Sequence, residues 1–329
     1  MKIAYLMPVG TSITGKADGV RMQALIWRDA LAKRGHQVDL IEAWGEYDWA
    51  SYDALHFFGQ GTWLFMIEEL SRKNPKVVVS PIIDTNTPLW KYKLASFWGS
   101  HKLRIESQNY VMRRMSKYSS RFLARSNYEK EYIKSCTYLD DEHIDIVPLS
   151  YRLDSKGPRC EKENFCFHIS QFTSDRKNVM RLMQAAVKFD FKLVIAGSRG
   201  SKEAFKPFKE FAEKHNNITI LGYLTDEELE NWYNRAKVFA LPSLFEGVGL
   251  VALEAAMHHC DIVLTNLGGP KEYYGGFAHT VNPYSIDEIG RAVVDALNSE
   301  ENSRLFDFVK TNSSLDYCVD LLEKCYNRL

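Results

Sequence analysis

Strand-like and helix-like segments alternate from one end of this chain to the other, and that alternation most restricts its fold. Short apolar runs of strand character fall at 3–7, 37–41, 54–58, 76–80, 122–124 and 144–147, and resume at 165–170, 192–196, 218–221, 238–241 and 262–264. Between them lie stretches with helical spacing, such as 21–33, ended by Gly35, then 180–188 and 226–235. Strands alternating with helices build parallel sheets covered on both faces, an α/β architecture. With 329 residues the chain suits two domains of about 150 residues each. The polar stretch 152–164 contains Gly157-Pro158 and reads as a linker. Ligands of doubly wound sheets bind beyond the carboxyl ends of the strands. The expected site is therefore the cleft between two such domains.

Residues 245–256 carry the strongest chemical signal. Val238-Phe239-Ala240-Leu241 reads as a buried strand stopped by Pro242-Ser243. A helix follows, with Leu250, Leu253 and Met257 at helical spacing. Glu246 precedes the helix start and Glu254 lies in its first turns, with Gly247 and Gly249 between them. A helix start presents unpaired N–H groups and about half a positive charge, which suits a phosphate. The two acids can then face uncharged parts of the same ligand, such as sugar hydroxyls. Acids near a helix start are also ordinary caps, and only the combination with the glycines and the Pro-Ser turn favours a ligand.

Composition removes several classes. Lysine plus arginine equals aspartate plus glutamate, 42 against 42, so the net charge is zero; a dedicated nucleic-acid binder is usually basic. The cysteines, Cys136, Cys160, Cys166, Cys260, Cys318 and Cys325, form no C-x-x-C pair and accompany no histidine cluster. Free thiols in a reducing cytosol are the expectation. The opening apolar run is too short for a signal peptide, and no run approaches a membrane span.

The two acids eight positions apart, the intervening glycines and the preceding Pro242-Ser243 closely resemble the E-x7-E motif of the retaining family 4 (group 1) glycosyltransferases, whose fold is GT-B. The resemblance extends over nearly the whole chain. Asp18-Gly19-Val20 looks like the family's glycine loop, and Leu31 to Val38 like its A-x-x-G-H-x-V ending. Leu221-Gly222-Tyr223 and the residues after it resemble the segment lining the nucleobase pocket. Gly268-Gly269-Pro270-Lys271-Glu272 and Asn282-Pro283 resemble later family segments. The resemblance implies two Rossmann-like doubly wound domains facing across a cleft: 1–155 on the acceptor side and 156–311 binding the nucleotide sugar. Residues 312–329 would form a helix packing back on the first domain.

The resemblance also implies roles. Lys177 would meet the leaving diphosphate, helped by the amides of Gly249, Leu250 and Val251. Glu246 would hold sugar hydroxyls and Glu254 the ribose. Gly19, Tyr223, Gly247 and Val248 would complete the donor site. No D-x-D motif is present, so no metal and no cofactor beyond the sugar-nucleotide substrate is expected. Two departures stand out. Gln171 occupies the place of the family's arginine and brings no charge to a diphosphate. Arg176 or Arg199 would restore it, although for either alone a solvated arginine is the favoured reading. In the first domain Ile83-Asp84 replaces a His before an Asp, so no general-base histidine stands there. Asp84 and His56 are the acceptor-side candidates, against a turn aspartate and a satisfied core histidine.

Residues 88–125 hold Lys91, Lys93, Lys102, Arg104, Arg113, Arg114, Lys117, Arg121 and Arg125 against the single acid Glu106, interleaved with Trp90, Tyr92, Phe97, Trp98, Tyr110 and Tyr118. The mixture suits an anionic membrane surface or an acceptor bearing a lipid diphosphate. Single-stranded nucleic acid and a solvated helix face are the competing readings; with zero net charge, no nucleic-acid partner is expected. Taken together, the chain reads as a metal-independent retaining hexosyltransferase. It would use a nucleotide diphosphate sugar and a saccharide or lipid-linked hydroxyl acceptor, in polysaccharide or glycoconjugate biosynthesis. It would be cytoplasmic, peripheral on the inner face of the membrane. A GT-B sugar-nucleotide epimerase or hydrolase, and a weakly active donor-binding subunit of a transferase complex, remain open beside it.

Overall fold

A computed structural model describes residues 1–8, 10, 19–100, 102–153, 161–300 and 303–329. The chain divides into two compact units: residues 1–149 with 315–329, and residues 150–314.

In the first unit six strands form one parallel sheet. They are β1 (Lys2–Leu6), β2 (Gln37–Leu40), β3 (Ala54–Phe58), β4 (Val77–Ser80) and, after a short antiparallel hairpin of β5 (Gly99–Ser100) and β6 (Ile105–Glu106), β7 (Arg121–Ala124) and β8 (Ile144–Ile146). Their order is β2-β1-β3-β4-β7-β8. β3 and β4 are buried at every position, as expected of parallel strands covered on both faces. The helix Gly19–Lys33 crosses from β1 to β2, and Asp18 of the suggested glycine loop Asp18-Gly19-Val20 lies outside the described residues.

The helix Leu315–Tyr326 completes this unit. Its Cys318, Val319, Leu322 and Cys325 are fully buried. Arg34 reaches Asp320 at 2.6 Å and Glu323 at 3.0 Å on its surface, and Arg328 pairs with Asp145. Tyr326 Oη lies 2.7 Å from His56 Nδ1 and 3.2 Å from Tyr5 Oη. The other nitrogen of His56 lies 2.8 Å from Ser80 Oγ. The sequence-based suggestion that His56 faces an acceptor is therefore corrected: it is a core residue with both ring nitrogens engaged, and burial drives its pKa down to about 3.

The second unit repeats the plan. β9 (Glu163–Ile169), β10 (Leu193–Ala196), β11 (Ile218–Gly222), β12 (Ala236–Leu241), β13 (Asp261–Thr265) and β14 (His279–Val281) are parallel, in the order β11-β10-β9-β12-β13-β14. β14 escapes a reading by pattern because it has three residues, of which only Val281 is buried. The helix Asp226–Arg235 begins with a capping box, in which Thr225 and Glu228 satisfy each other's backbone N–H groups. From β9 the chain passes outward to β10 on one side and returns to β12 on the other. The loops after β9 and β12 thus leave neighbouring strand ends at the switch point of the sheet, where doubly wound folds bind ligands.

Candidate donor site of the second unit

The loop after β9 and the loop after β12 are tied together by both backbone and side chains. Leu244 N donates to Arg176 O at 2.8 Å. Asn178 sits in the left-handed region (φ 59°), which asparagine tolerates. From there its side-chain amide donates to Pro242 O at 2.9 Å and Pro283 O at 2.6 Å. This clamp fixes the turn Asp175–Lys177 beside Glu246.

Glu246 is the centre of the cluster, only 8 % exposed. Lys177 Nζ donates to its Oε2 at 2.6 Å, Arg176 to its Oε1 at 2.8 Å, and Ser243 Oγ to Oε2 at 3.2 Å. The Arg176 guanidinium also lies over the Phe245 ring, 5.5 Å from its centroid. The structure thus brings Lys177, Arg176 and Glu246 together. Gly268 (φ 84°) packs on the Glu246 backbone so closely that a Cβ there would lie 2.6 Å from Glu246 O. A glycine is required at that contact.

The helix Leu250–Met257 starts immediately beyond. Its N-cap is Gly249 (φ 75°), which provides no side chain to satisfy the first-turn N–H groups, and that turn contains no acid. Such a start leaves its positive end available to an anion. Gly247, Val248 and Gly249 are buried, while Leu250 and Val251 are partly open.

The second acid of the motif lives in a different environment. Glu254 is 4 % exposed. Arg152 Nε lies 3.4 Å from its Oε1, and Tyr233 Oη donates to its Oε2 at 3.4 Å. Burial pushes its carboxyl up to about 7, with Arg152 and Tyr233 acting the other way. Arg152 also grips Asp226 at 2.5 Å.

The remaining candidates lie outside this cluster. Gln171 is exposed just after β9. Arg199 is exposed, with its guanidinium 5.3 Å from the Phe205 ring centroid and resting against Gly222, where a Cβ would lie 2.9 Å away. Tyr223 is 85 % exposed. Gly19 is the first residue of its helix in the other unit. Asp84, also in the first unit, accepts from Arg125 at 2.8 Å. Asn178, Arg152 and Tyr274 escaped the sequence reading. Their roles come from partners distant in sequence, and no local motif marks them. Tyr274 is fully buried within electrostatic reach of Glu246, and its hydroxyl has no hydrogen-bond partner among the described residues.

The basic segment 88–125 needs a correction. Arg121 and Arg125 are not surface charges. Arg121 is buried against Asp145 at 2.6 Å, and Arg125 against Glu129 at 2.8 Å and Asp84.

Each unit is a doubly wound parallel-sheet fold, and the second places a carboxylate, a lysine and an uncapped helix start at its switch point. Residues 152–307 match the family described as "Glycosyl transferases group 1". The chain resembles sucrose-phosphate synthase from Thermosynechococcus elongatus over 100 % of its own length and 99 % of that chain, with a TM-score of 0.74 at 13 % identity. It resembles Anabaena Alr3699/HepE, solved in complex with UDP and glucose, over 100 % of both chains, with a TM-score of 0.71 at 14 % identity. Among curated relatives, O-antigen chain mannosyltransferase B of Escherichia coli is 29 % identical over 132 residues. That match covers 38 % of this chain and 35 % of the relative, so the chain spans about a third of that relative's length. The match to the group 1 glycosyltransferases takes in nearly all of the second unit, and the fold of the chain is GT-B.

Proposed function

We propose that this protein transfers a hexose from a nucleotide diphosphate sugar to a hydroxyl of a saccharide acceptor, in glycoconjugate or polysaccharide biosynthesis. Retention of anomeric configuration and independence of metal are part of the proposal. One observation carries it: Glu246 is held by Lys177 and Arg176 at the switch point of the sheet, beside the uncapped start of the helix Leu250–Met257. Before a donor arrives, the carboxylate neutralises the two cations. With donor bound, Lys177 and Arg176 turn toward the diphosphate, and Glu246 accepts hydrogen bonds from the sugar hydroxyls. Cleavage of the sugar–phosphate bond leaves negative charge on the diphosphate. Lys177 and the amides of Gly249, Leu250 and Val251 meet that charge with preorganised donors, a contribution of several kcal/mol. Glu254 would receive the ribose, and Tyr223 would lie along the base. Arg176 supplies the charge that Gln171 does not.

The relative named as an O-antigen chain mannosyltransferase makes mannose the first sugar to test, with UDP, GDP and ADP as carriers. We also infer that the enzyme works in the cytoplasm, peripheral on the inner face of a membrane, where a lipid-linked acceptor is found.

The test is Glu246→Gln in the purified chain. Transfer should fall by at least about a hundredfold, the scale of losing one preorganised charged contact. Nucleoside diphosphate should bind as well as before or more tightly, because Lys177 and Arg176 are released from the carboxylate. Turnover at the wild-type rate in the variant, or none in the wild-type chain with any donor, would overturn the proposal.

A further inference from the structure

Large exposed apolar side chains are not spread evenly over this protein. Thirteen are exposed among the described residues, and seven of them fall within 89–105: Leu89, Trp90, Leu94, Phe97, Trp98, Leu103 and Ile105. Trp98 and Leu103 are 73 % and 71 % exposed. The same seventeen positions include Lys91, Lys93, Lys102 and Arg104, all exposed, and no acid.

The apolar exposure does not come from a loosely held segment. The helix Leu89–Ala95 is pinned by Tyr92, which is 6 % exposed, accepts from Gln60 Nε2 at 3.2 Å and meets the Tyr132 ring edge-on at 4.9 Å. Asn109 Nδ2 donates to Tyr92 O at 2.9 Å, and Ser107 Oγ to Ala95 O at 3.1 Å. The β5–β6 hairpin lies flat on Tyr110, leaving no room for a Cβ at Gly99. One aromatic face holds the element to the unit while the other apolar side chains point to solvent. Beside it is a cavity of about 260 Å³ lined by Tyr110, Arg113, Arg114, Lys117, Tyr118 and Tyr138. Arg113 stacks between Phe97 and Tyr138, at 3.9 and 4.4 Å from the ring centroids, and so joins cavity and projection. Glu68 is 3.8 Å from Arg114, whereas Arg113 and Lys117 have no carboxylate within salt-bridge distance among the described residues.

We propose that the projection 89–105, with the Arg113–Lys117 cavity at its base, docks this protein on an anionic phospholipid membrane. The tryptophans and aliphatic side chains enter the headgroup–acyl boundary. The lysines snorkel to the phosphates, and the cavity receives a headgroup phosphate. Charge complementarity selects this occupant over a second copy of the chain, because two such faces would bring like charges together. The proposal deepens the peripheral location inferred above. It is independent of donor chemistry, so vesicle binding can fail while sugar transfer stands, and the reverse.

The experiment is co-sedimentation of the full chain with phosphatidylcholine vesicles, with and without phosphatidylglycerol, at about 0.1 M and about 1 M salt. The Debye length shrinks from about 10 Å to about 3 Å over that range. The wild type should bind the anionic vesicles and lose binding in high salt, with a blue shift of tryptophan emission. Trp90→Ser/Trp98→Ser/Leu103→Ser should lower partitioning by at least about tenfold. Trp44→Ser, at an exposed site outside the patch, should leave it unchanged. Lys91→Glu/Lys93→Glu/Lys117→Glu should remove the preference for anionic lipid. Circular dichroism checks that each variant is folded, since every replaced side chain is exposed. Failure of the wild type to bind anionic vesicles, equal binding to both vesicle types, or a triple serine variant that binds like the wild type would overturn the proposal. So would a concentration-dependent dimer that the triple variant abolishes.

Discussion

Glu254 should make the second unit less stable as the solution becomes more alkaline. Its carboxyl is 4 % exposed, and burial pushes its pKa from 4.5 to about 7. Between those values the folded chain keeps a proton that the unfolded chain has released. Stability is then lost as pH rises through this window and is not regained above it, because the unfolded state is the better place for the charge. The gap between the two pKa values is worth about 3 kcal/mol. Glu254→Gln keeps the shape and removes the titration. Near pH 4 the two chains should have similar stability. Near pH 8 the variant should be ahead by about 3 kcal/mol. The measurement is urea unfolding at a series of pH values. Hydrogen exchange in the helix Leu250–Met257 reports on the second unit separately from the first. Identical pH profiles for the two chains, or a wild type that gains stability across the window, would show that Arg152 and Tyr233 hold Glu254 ionised and that burial is not the dominant influence.

Lys177→Ala should weaken nucleoside diphosphate binding by about tenfold to a hundredfold, the worth of a charge-assisted hydrogen bond, and leave nucleoside binding nearly unchanged; calorimetry with both ligands checks this, and equal losses would remove Lys177 from the diphosphate. Gln171→Arg, in the same assay, should tighten diphosphate binding if the neutral amide limits it. In the first unit Arg125→Met should cost about 3–5 kcal/mol, because Glu129, 2 % exposed, would be left buried without its partner. Adding Glu129→Leu should recover much of that in thermal unfolding, and a single substitution without cost would refute the account of the buried pair.

Most of both sheets was legible because parallel strands covered on both faces are continuous apolar runs, such as Val77-Val78-Val79 and Val238-Phe239-Ala240-Leu241. β14 was not, since three residues carry no periodicity. Glu246 and Lys177 stood out as candidates because their motifs are local. Their 2.6 Å contact did not, because it joins loops 69 positions apart. Arg121 and Arg125 looked like surface charge because their acids, Asp145, Asp84 and Glu129, lie just outside or beyond the basic segment. His56 could be read as a ligand contact or as a core histidine, and Tyr326, 270 positions away, supplies the partner that decides for the core. Exposure is likewise invisible in sequence. Trp90 and Trp98 read the same as Tyr92, yet only Tyr92 faces inward.

The helix Leu315–Tyr326 belongs to a unit whose other residues end at 149. The second unit, 150–314, is contiguous and is fully synthesised before that helix exists. During translation the first sheet must wait, with Tyr5 and His56 facing an unfilled groove, until residue 326 has been added. The second unit can meanwhile close around its own core. The order of maturation is therefore the reverse of the order of synthesis: the half made first is finished last.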